Sequence, residues 1–390
     1  MSRPVPAHSS AAPSATSRGD LPVPSRRALP APSRRALPVP SRRALLLGAA
    51  AVAPMVALGA GSASALSGFH DAGDLRIIDH WAHEDIRSVD FRFDTGGQVQ
   101  TFAPSLRVTV PAGYDQNPDK HYPVVLLLHG GGGMYQDWTN HGNVIEQTEK
   151  HEAIVVMPDG GAGSFYSNAN FPRPGLTANW ESFIMDMVLP FVHSNFRTAP
   201  DRMAIAGLSM GGFGALALGQ RYWGHFRSVS SYSGPADCGA SPAGLLVGTL
   251  IMVSPLGDVP RYGLNANGPG AIWGLEPYPE IAHGYNPLAN IEAYRDKRIF
   301  LRTGNGPLLD LLGFDGMDDL IGEYQERLDQ FGLDLQENVV MHTQTAFSNA
   351  LSDAGIEHDI RVDDGETHEW GLWNRSFAED LPGMLEVLNS

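Results

Sequence analysis

Met203-Ala-Ile-Ala-Gly-Leu-Ser-Met-Gly-Gly-Phe213 runs from an apolar, strand-like stretch, Met203 to Ala206, through Gly207-Leu208-Ser209-Met210-Gly211 into a helical pattern, Phe213 to Tyr222. The pentapeptide fits G-x-S-x-G, a weak signal by itself in a chain with 44 glycines. Its setting carries the information. A serine on a sharp turn between a buried strand and a helix is held above the sheet edge, and glycines beside it let the backbone make that turn. The helix N-terminus behind the serine favours developing negative charge. Ser209 is therefore the candidate nucleophile, weighed against a merely structural tight turn. Met210, the next residue, is the expected first backbone donor to an oxyanion.

Outward from this turn, short apolar runs alternate with helical patterns. The strand candidates are Leu106 to Val110, Val124 to Leu128, Ile154 to Met157, Met203 to Ala206, Ser228 to Ser231, Ile299 to Arg302 and Ile356 to Val362. Helical periodicity falls near Trp180 to Asn195, Met210 to Tyr222, Met317 to Phe331, Glu337 to Ala354 and Phe377 to Leu388. The alternation predicts an α/β architecture, and Val124 to Leu128 reads as a strand covered on both faces. Together with the serine turn it predicts an α/β-hydrolase fold, a mostly parallel central sheet with helices on both faces, in a single catalytic domain over residues 66–390. Residues 235–287 change texture to Gly, Pro and aromatics around an apolar stretch, Leu245 to Leu256. That insertion reads either as a lid or acyl-chain wall or as a helix buried in the core.

The chemistry needs three further parts. A second oxyanion donor is expected from His129-Gly130-Gly131-Gly132-Gly133, which follows a buried strand and lacks the pattern of a phosphate loop; Gly131 is the choice within it. In this fold the triad follows the order serine, acid, histidine. Of fourteen histidines, His368 stands just after the last strand candidate, in the loop where a general base belongs. The acid is not decided by spacing: Asp310 and Asp315 follow the Ile299 to Arg302 strand, and other carboxylates compete. His80-Trp81-Ala82-His83 has a loose ligand-like spacing but no companions, so it is read as structural. No metal or organic cofactor is expected.

Residues 1–65 are rich in Pro, Ala, Ser and Arg, with Ser-Arg-Arg-Ala recurring from Ser25, Ser33 and Ser41. The third copy leads into an apolar run, Ala44 to Leu58, and then Ala63-Ser64-Ala65. This layout predicts a disordered segment and a twin-arginine-type leader with cleavage near Ala65, hence a secreted or envelope-associated protein without a transmembrane helix in its mature form. The net charge is −16, and −23 once residues 1–43 are set aside. So acidic a surface argues against nucleic acid as partner. Cys238 is the single cysteine, which rules out an intrachain disulfide.

Several motifs in order resemble the mycolyltransferases of the antigen 85 complex and their corynebacterial relatives, within the wider esterase D-like group. They are Met157-Pro158-Asp159-Gly160-Gly161 with Ser164-Phe165-Tyr166, Trp180-Glu181, Gly207 to Gly212, Tyr285-Asn286-Pro287, Thr303-Gly304-Asn305-Gly306 and Gly365-Glu366-Thr367-His368-Glu369-Trp370. The likeness runs from about Tyr122 to Leu381. It implies a glutamate acid that opens the long helix before the last strand, ten residues ahead of a phenylalanine; Glu337 stands ten before Phe347. It also implies substrate-binding positions at His129, Gly130, Trp138 and Trp370. The family's first oxyanion segment reads Asp-Gly-Leu-Arg or similar and helps hold trehalose, whereas this chain has His129-Gly130-Gly131-Gly132, which weakens a trehalose assignment.

The expectation is acyl transfer through an ester on Ser209, with His368 as base, Glu337 orienting it, and Met210 and Gly131 stabilising the oxyanion. The resemblance implies a lipid or acyl-ester substrate and a trehalose or other sugar acceptor. Two rivals remain: a secreted carboxylesterase that uses water, and a non-catalytic envelope protein that binds fibronectin.

Overall fold

A computed structural model describes residues 66–276, 278–305 and 324–390, except for the side chains of 324–335. The leader read in residues 1–65 and the alternative acids Asp310 and Asp315 lie outside the described residues. Nine strands form one sheet: β1 (Arg76–His83), β2 (Ser88–Asp94), β3 (Ser105–Thr109), β4 (Tyr122–Leu128), β5 (Ile154–Pro158), β6 (Thr198–Leu208), β7 (Ser228–Tyr232), β8 (Arg298–Gly304) and β9 (Asp359–Asp363). Their order is β1-β2-β3-β5-β4-β6-β7-β8-β9. The first three are antiparallel, and every pairing from β5 to β9 is parallel. The fold is that of an α/β-hydrolase.

Successive residues of β4 serve opposite faces, as the two-residue period of a strand demands. Val124, Leu126 and Leu128 enter one hydrophobic cluster with Phe213 and Leu216 of helix α1 (Met210–Arg221). Val125 and Leu127 enter another with Phe377, Leu381 and Met384 of the C-terminal helix, Trp370–Asn389. This two-sided cover explains why β4 is an unbroken apolar run, buried along its whole length.

Parallel pairing fixes where the loops emerge. Leu128 of β4 pairs with Gly207 of β6, Leu208 with Tyr232 of β7, and Gly304 of β8 with Asp363 of β9. The loops after β4, β6, β7, β8 and β9 therefore leave from one edge, where open α/β sheets gather their sites.

Three expectations change. β1 and β2 carry His80, Asp79, Asp90 and Arg92 among their apolar residues, so no run marked them as strands. From Tyr324 onward the pattern Met317 to Phe331 joins Glu337 to Ala354 in one helix, Tyr324–Asp353, while residues 317–323 lie outside the described residues. Glu337 thus lies inside that helix rather than opening it. The apolar stretch Leu245 to Leu256 is only half core. Helix α2 (Pro242–Val253), capped by the Ser241 hydroxyl accepting from Gly244 N–H at 3.1 Å, buries Gly244, Val247, Gly248 and Ile251. Leu245, Leu246, Leu250 and Val253 face outward. The helices Tyr324–Asp353 and Trp370–Asn389 are α3 and α4 below.

Asp90 and Arg107 are register partners on β2 and β3, both almost wholly buried. The Arg107 guanidinium donates to both Asp90 oxygens, at 2.6 and 2.7 Å. The Tyr135 hydroxyl donates to the same carboxylate at 3.3 Å, tying the loop after β4 to the antiparallel strands. Arg107→Leu removes the guanidinium and leaves that buried carboxylate with His83 Nε2, at 3.1 Å, and the Tyr135 hydroxyl; the expected loss is about 3–5 kcal/mol, measured by urea unfolding. A loss under about 1 kcal/mol would show that the pair is not needed to offset the burial.

Candidate active site

Ser209 follows β6 and precedes α1 with φ 52° and ψ −122°, a backbone state that side-chain-bearing residues rarely adopt. Its N–H donates to the Tyr232 carbonyl at 2.8 Å, and its carbonyl accepts from Phe213 N–H at 3.1 Å. A Cβ on Gly207 would strike the Gly211 carbonyl, and one on Gly211 would lie 2.5 Å from the carbonyl oxygens of Leu128 and His129. Glycine is required at both positions because two backbones pass in contact there.

The histidine and the carboxylate arrive from the other side of the same edge. His368 sits in the loop between β9 and α4, its Nε2 2.8 Å from Ser209 Oγ and its Nδ1 2.5 Å from Glu337 Oε2. Glu337 is fully buried. Its other oxygen accepts from the hydroxyls of Ser233 at 2.8 Å and Thr303 at 2.7 Å, and from Gly304 N–H at 2.6 Å. Burial pushes this carboxyl up, but the hydrogen bonds and charge of His368, with Thr303 and Gly304, outweigh it and hold it below the usual glutamate range. The Trp373 ring meets His368 edge-on, with centroids 5.1 Å apart. The arrangement can take a proton from the serine hydroxyl and hold the imidazole tautomer that receives it.

Met210 opens α1, so its N–H has no acceptor within the helix. A Cβ on Gly131 would stand 3.9 Å from Met210 Cβ and 3.7 Å from the Ala162 carbonyl, so the two expected oxyanion donors belong to adjoining backbone. Gly130 is pressed against the turn, where a Cβ would come within 2.6 Å of the Leu208 side chain and 3.5 Å of Ser209 Cβ. The loop is braced from outside by Arg261, whose guanidinium donates to the carbonyls of Gly132 and, at 2.8 Å, Gly133.

Two substrate-binding expectations are corrected. His129 is fully buried, with Nε2 accepting from Gly160 N–H at 2.9 Å and Nδ1 2.8 Å from the Gly130 carbonyl. Both ring nitrogens are engaged with backbone, and burial lowers its affinity for a proton. It staples the loops after β4 and β5 and offers nothing to a substrate. Trp138 is buried as well, its indole N–H donating to the Leu128 carbonyl at 3.0 Å. Trp370 packs edge-on over Trp138 at 5.3 Å and is itself only partly buried, so it remains open to a ligand. Sequence reading missed Ser233 and Gln336. Ser233 follows directly on β7, and that position was its signal. Gln336 was marked only by its neighbour, Glu337.

A family model described as "Putative esterase" matches residues 103–384. An esterase of Mycobacterium tuberculosis strain H37Rv is 35% identical over 300 residues, 75% of this chain; the chain spans only 58% of that relative's length. The diacylglycerol acyltransferase/mycolyltransferase Ag85C of Mycobacterium avium is 28% identical over 275 residues, 68% of this chain and 71% of that one. The crystal structure of Mycobacterium tuberculosis MPT51 (FbpC1) has a TM-score of 0.54 at 18% identity, covering 73% of this chain and 94% of that one. An S-formylglutathione hydrolase from Agrobacterium tumefaciens has the same TM-score at 15% identity, covering 80% and 99%. These two likenesses speak to the fold. The chain belongs to the esterase family, has an α/β-hydrolase fold, and is similar to the antigen 85 mycolyltransferases.

Proposed function

We propose that this chain transfers acyl groups from lipid or other acyl esters through an ester on Ser209, and that residues 1–65 carry its export leader. The observation that supports this reading is the unbroken hydrogen-bonded line from Ser209 Oγ through His368 to buried Glu337. His368 takes the hydroxyl proton as Oγ attacks the ester carbonyl and returns it to the departing alcohol. Glu337 stays ionised and stabilises the imidazolium. Backbone N–H groups of Met210 and Gly131 receive the oxyanion. The acyl-enzyme then passes its acyl group to a hydroxyl acceptor, with the sugar trehalose as the first candidate.

The exposed side of α2 supports a lipid donor. Leu245, Leu246, Leu250, Val253 and Leu256 are each more than a third exposed, a concentration of apolar side chains that marks an interaction site. The stretch continues into the oxyanion loops: Ser254 Oγ donates to the Gly163 carbonyl at 2.5 Å, and Asp258 accepts from Ala162 N–H at 2.9 Å. Residues Pro242–Asn265 are long and apolar enough to cross a membrane. Their helix breaks after Val253 into shorter turns, and one side packs on the catalytic unit, so the reading here is an apolar wall beside the site.

A second reading is hydrolysis. His129 stands engaged and buried where the mycolyltransferases carry trehalose-holding side chains, which favours water or a different acceptor. The discriminating experiment incubates the protein with p-nitrophenyl esters with and without trehalose and traps it with a fluorophosphonate. Trehalose ester as product supports transfer; free acid alone supports hydrolysis. No adduct on folded protein would move the weight to a binding role.

Ser209→Ala is expected to abolish the adduct and lower kcat by about 10⁴-fold or more. Glu337→Gln should cost about 10³- to 10⁴-fold through the wrong imidazole tautomer. Adduct formation or ester turnover surviving in Ser209→Ala would sink the proposal. For the apolar wall, Leu246→Glu with Leu250→Glu should lower kcat/KM for the dodecanoate ester by about tenfold or more while leaving the acetate ester within about twofold, since tenfold corresponds to about 1.4 kcal/mol, less than the roughly 1.5–3 kcal/mol of fully burying one leucine. Equal losses on both esters would show that α2 does not contact the acyl chain.

A further inference from the structure

Gln336 is exposed on α3 beside Glu337, yet its side chain turns into the site, with Nε2 3.0 Å from His368 Nε2. That same ring nitrogen lies 2.8 Å from Ser209 Oγ. With the Nδ1 proton given to Glu337 Oε2, Nε2 of the neutral imidazole has a single in-plane lone pair. Two donors share it: the Ser209 hydroxyl and the Gln336 amide. The first belongs to acylation. The second occupies the place where His368 Nε2 meets the alcohol side of the reaction, the departing alcohol in acylation and the acceptor in deacylation.

In deacylation that place belongs to the acceptor. An acceptor hydroxyl approaching the acyl-enzyme must donate its proton to His368 Nε2, and the Gln336 amide already stands there. We propose that Gln336 is an acceptor-selecting residue, which holds the acceptor's place at His368 and yields it to a polyol in preference to water or a simple alcohol. The inference rests on the acyl-enzyme reading above and deepens it by naming the acceptor class.

In that step the acceptor oxygen bonds to the acyl carbon and the bond from that carbon to Ser209 Oγ breaks. The acceptor proton passes to His368 Nε2 and then to Ser209 Oγ, so the site returns to its starting state. Water supplies one oxygen, which replaces the amide at Nε2 and leaves the carboxamide to bulk solvent. A polyol supplies a second hydroxyl at a fixed distance from the first, which can pair with the displaced carboxamide while the first reacts. A carboxamide suits this role because it is neutral and carries both a donor and an acceptor. Its N–H meets the neutral ring, and after half a turn its carbonyl oxygen can meet the imidazolium or an acceptor hydroxyl. The difference is worth one ordinary hydrogen bond, a factor of about 3–10 in partition.

The test acylates the full-length protein with p-nitrophenyl butyrate and measures, at fixed concentrations, how the butyryl group divides among glycerol, 1-propanol and water. Gln336→Met keeps the chain length and removes the amide; Gln336→Ala removes the side chain, and the residue's exposure makes both substitutions compatible with folding. Because p-nitrophenolate departs without needing a proton from His368, both variants are expected to show the p-nitrophenol burst, and to lower the glycerol-to-propanol product ratio by about 3- to 10-fold, with hydrolysis unchanged or faster. A ratio within twofold of wild type in both variants overturns the inference. So does slower hydrolysis with the ratio preserved, which would make Gln336 a positioning residue for water. A wild-type protein that forms no butyryl adduct on Ser209 would instead refute the acyl-enzyme reading itself.

Discussion

The site depends on the contact of two backbones. β4 and β6 run side by side and in parallel, so the loop after Leu128 and the turn after Leu208 leave the sheet together. At Gly207 and Gly211 the chain passes too near its neighbours for any side chain. That contact forces Ser209 into its positive-φ conformation, which costs about 1–3 kcal/mol and persists because the buried strands on either side leave no alternative path. The strain lifts Oγ out of the sheet edge and brings the Met210 and Gly131 backbones together. A larger residue at Gly211 would push the turn away from the Leu128 and His129 backbone, and one at Gly207 would open the turn itself at Gly211.

Glu337 poses the opposite problem, a carboxylate placed deep in the interior. Burying an ionised carboxylate is costly unless its lone pairs are occupied. Ser233, Thr303, Gly304 and His368 supply four partners, drawn from the ends of β7 and β8 and from the loop after β9. The groups that keep Glu337 charged thereby hold three strand ends together. Position and charge state are set by one set of bonds.

Much of this was legible because it obeys short-range rules. Seven of the strands were visible as apolar runs, and the serine turn could be placed because a strand and a helix flank it. β1 and β2 escaped because antiparallel strands toward the sheet's edge tolerate His80, Asp79 and Asp90 among their apolar residues. Spacing alone did not reach the acid, since many carboxylates fit the chain order; the family resemblance pointed to Glu337, and that carboxylate is the one lying against His368 Nδ1. Family motifs also proved to be of two kinds. Glu181 of the Trp180-Glu181 motif is bound by the Tyr285 hydroxyl and by Arg221, each at 2.6 Å, so those residues brace the scaffold. His129 and Trp138 were misassigned for the same reason: a sequence position beside a site does not reveal that the side chain points into the core.

The loop after β4 is where this chain departs from the antigen 85 motif while keeping the serine turn. With two glycines after Gly131, its side of the site presents backbone rather than charged side chains, and its stiffness comes from elsewhere. His129 ties it to the loop after β5, Tyr166 donates its hydroxyl to the His129 carbonyl at 2.8 Å, and Arg261 closes over the carbonyls of Gly132 and Gly133. Arg261 belongs to the same insertion as the apolar α2. Whatever changes the packing of that insertion therefore bears on the oxyanion loop as well as on the apolar wall. On the acyl-transfer reading proposed above, recognition of an acceptor falls to the remaining rim of the site, where Trp370 is accessible and Gln336 reaches His368.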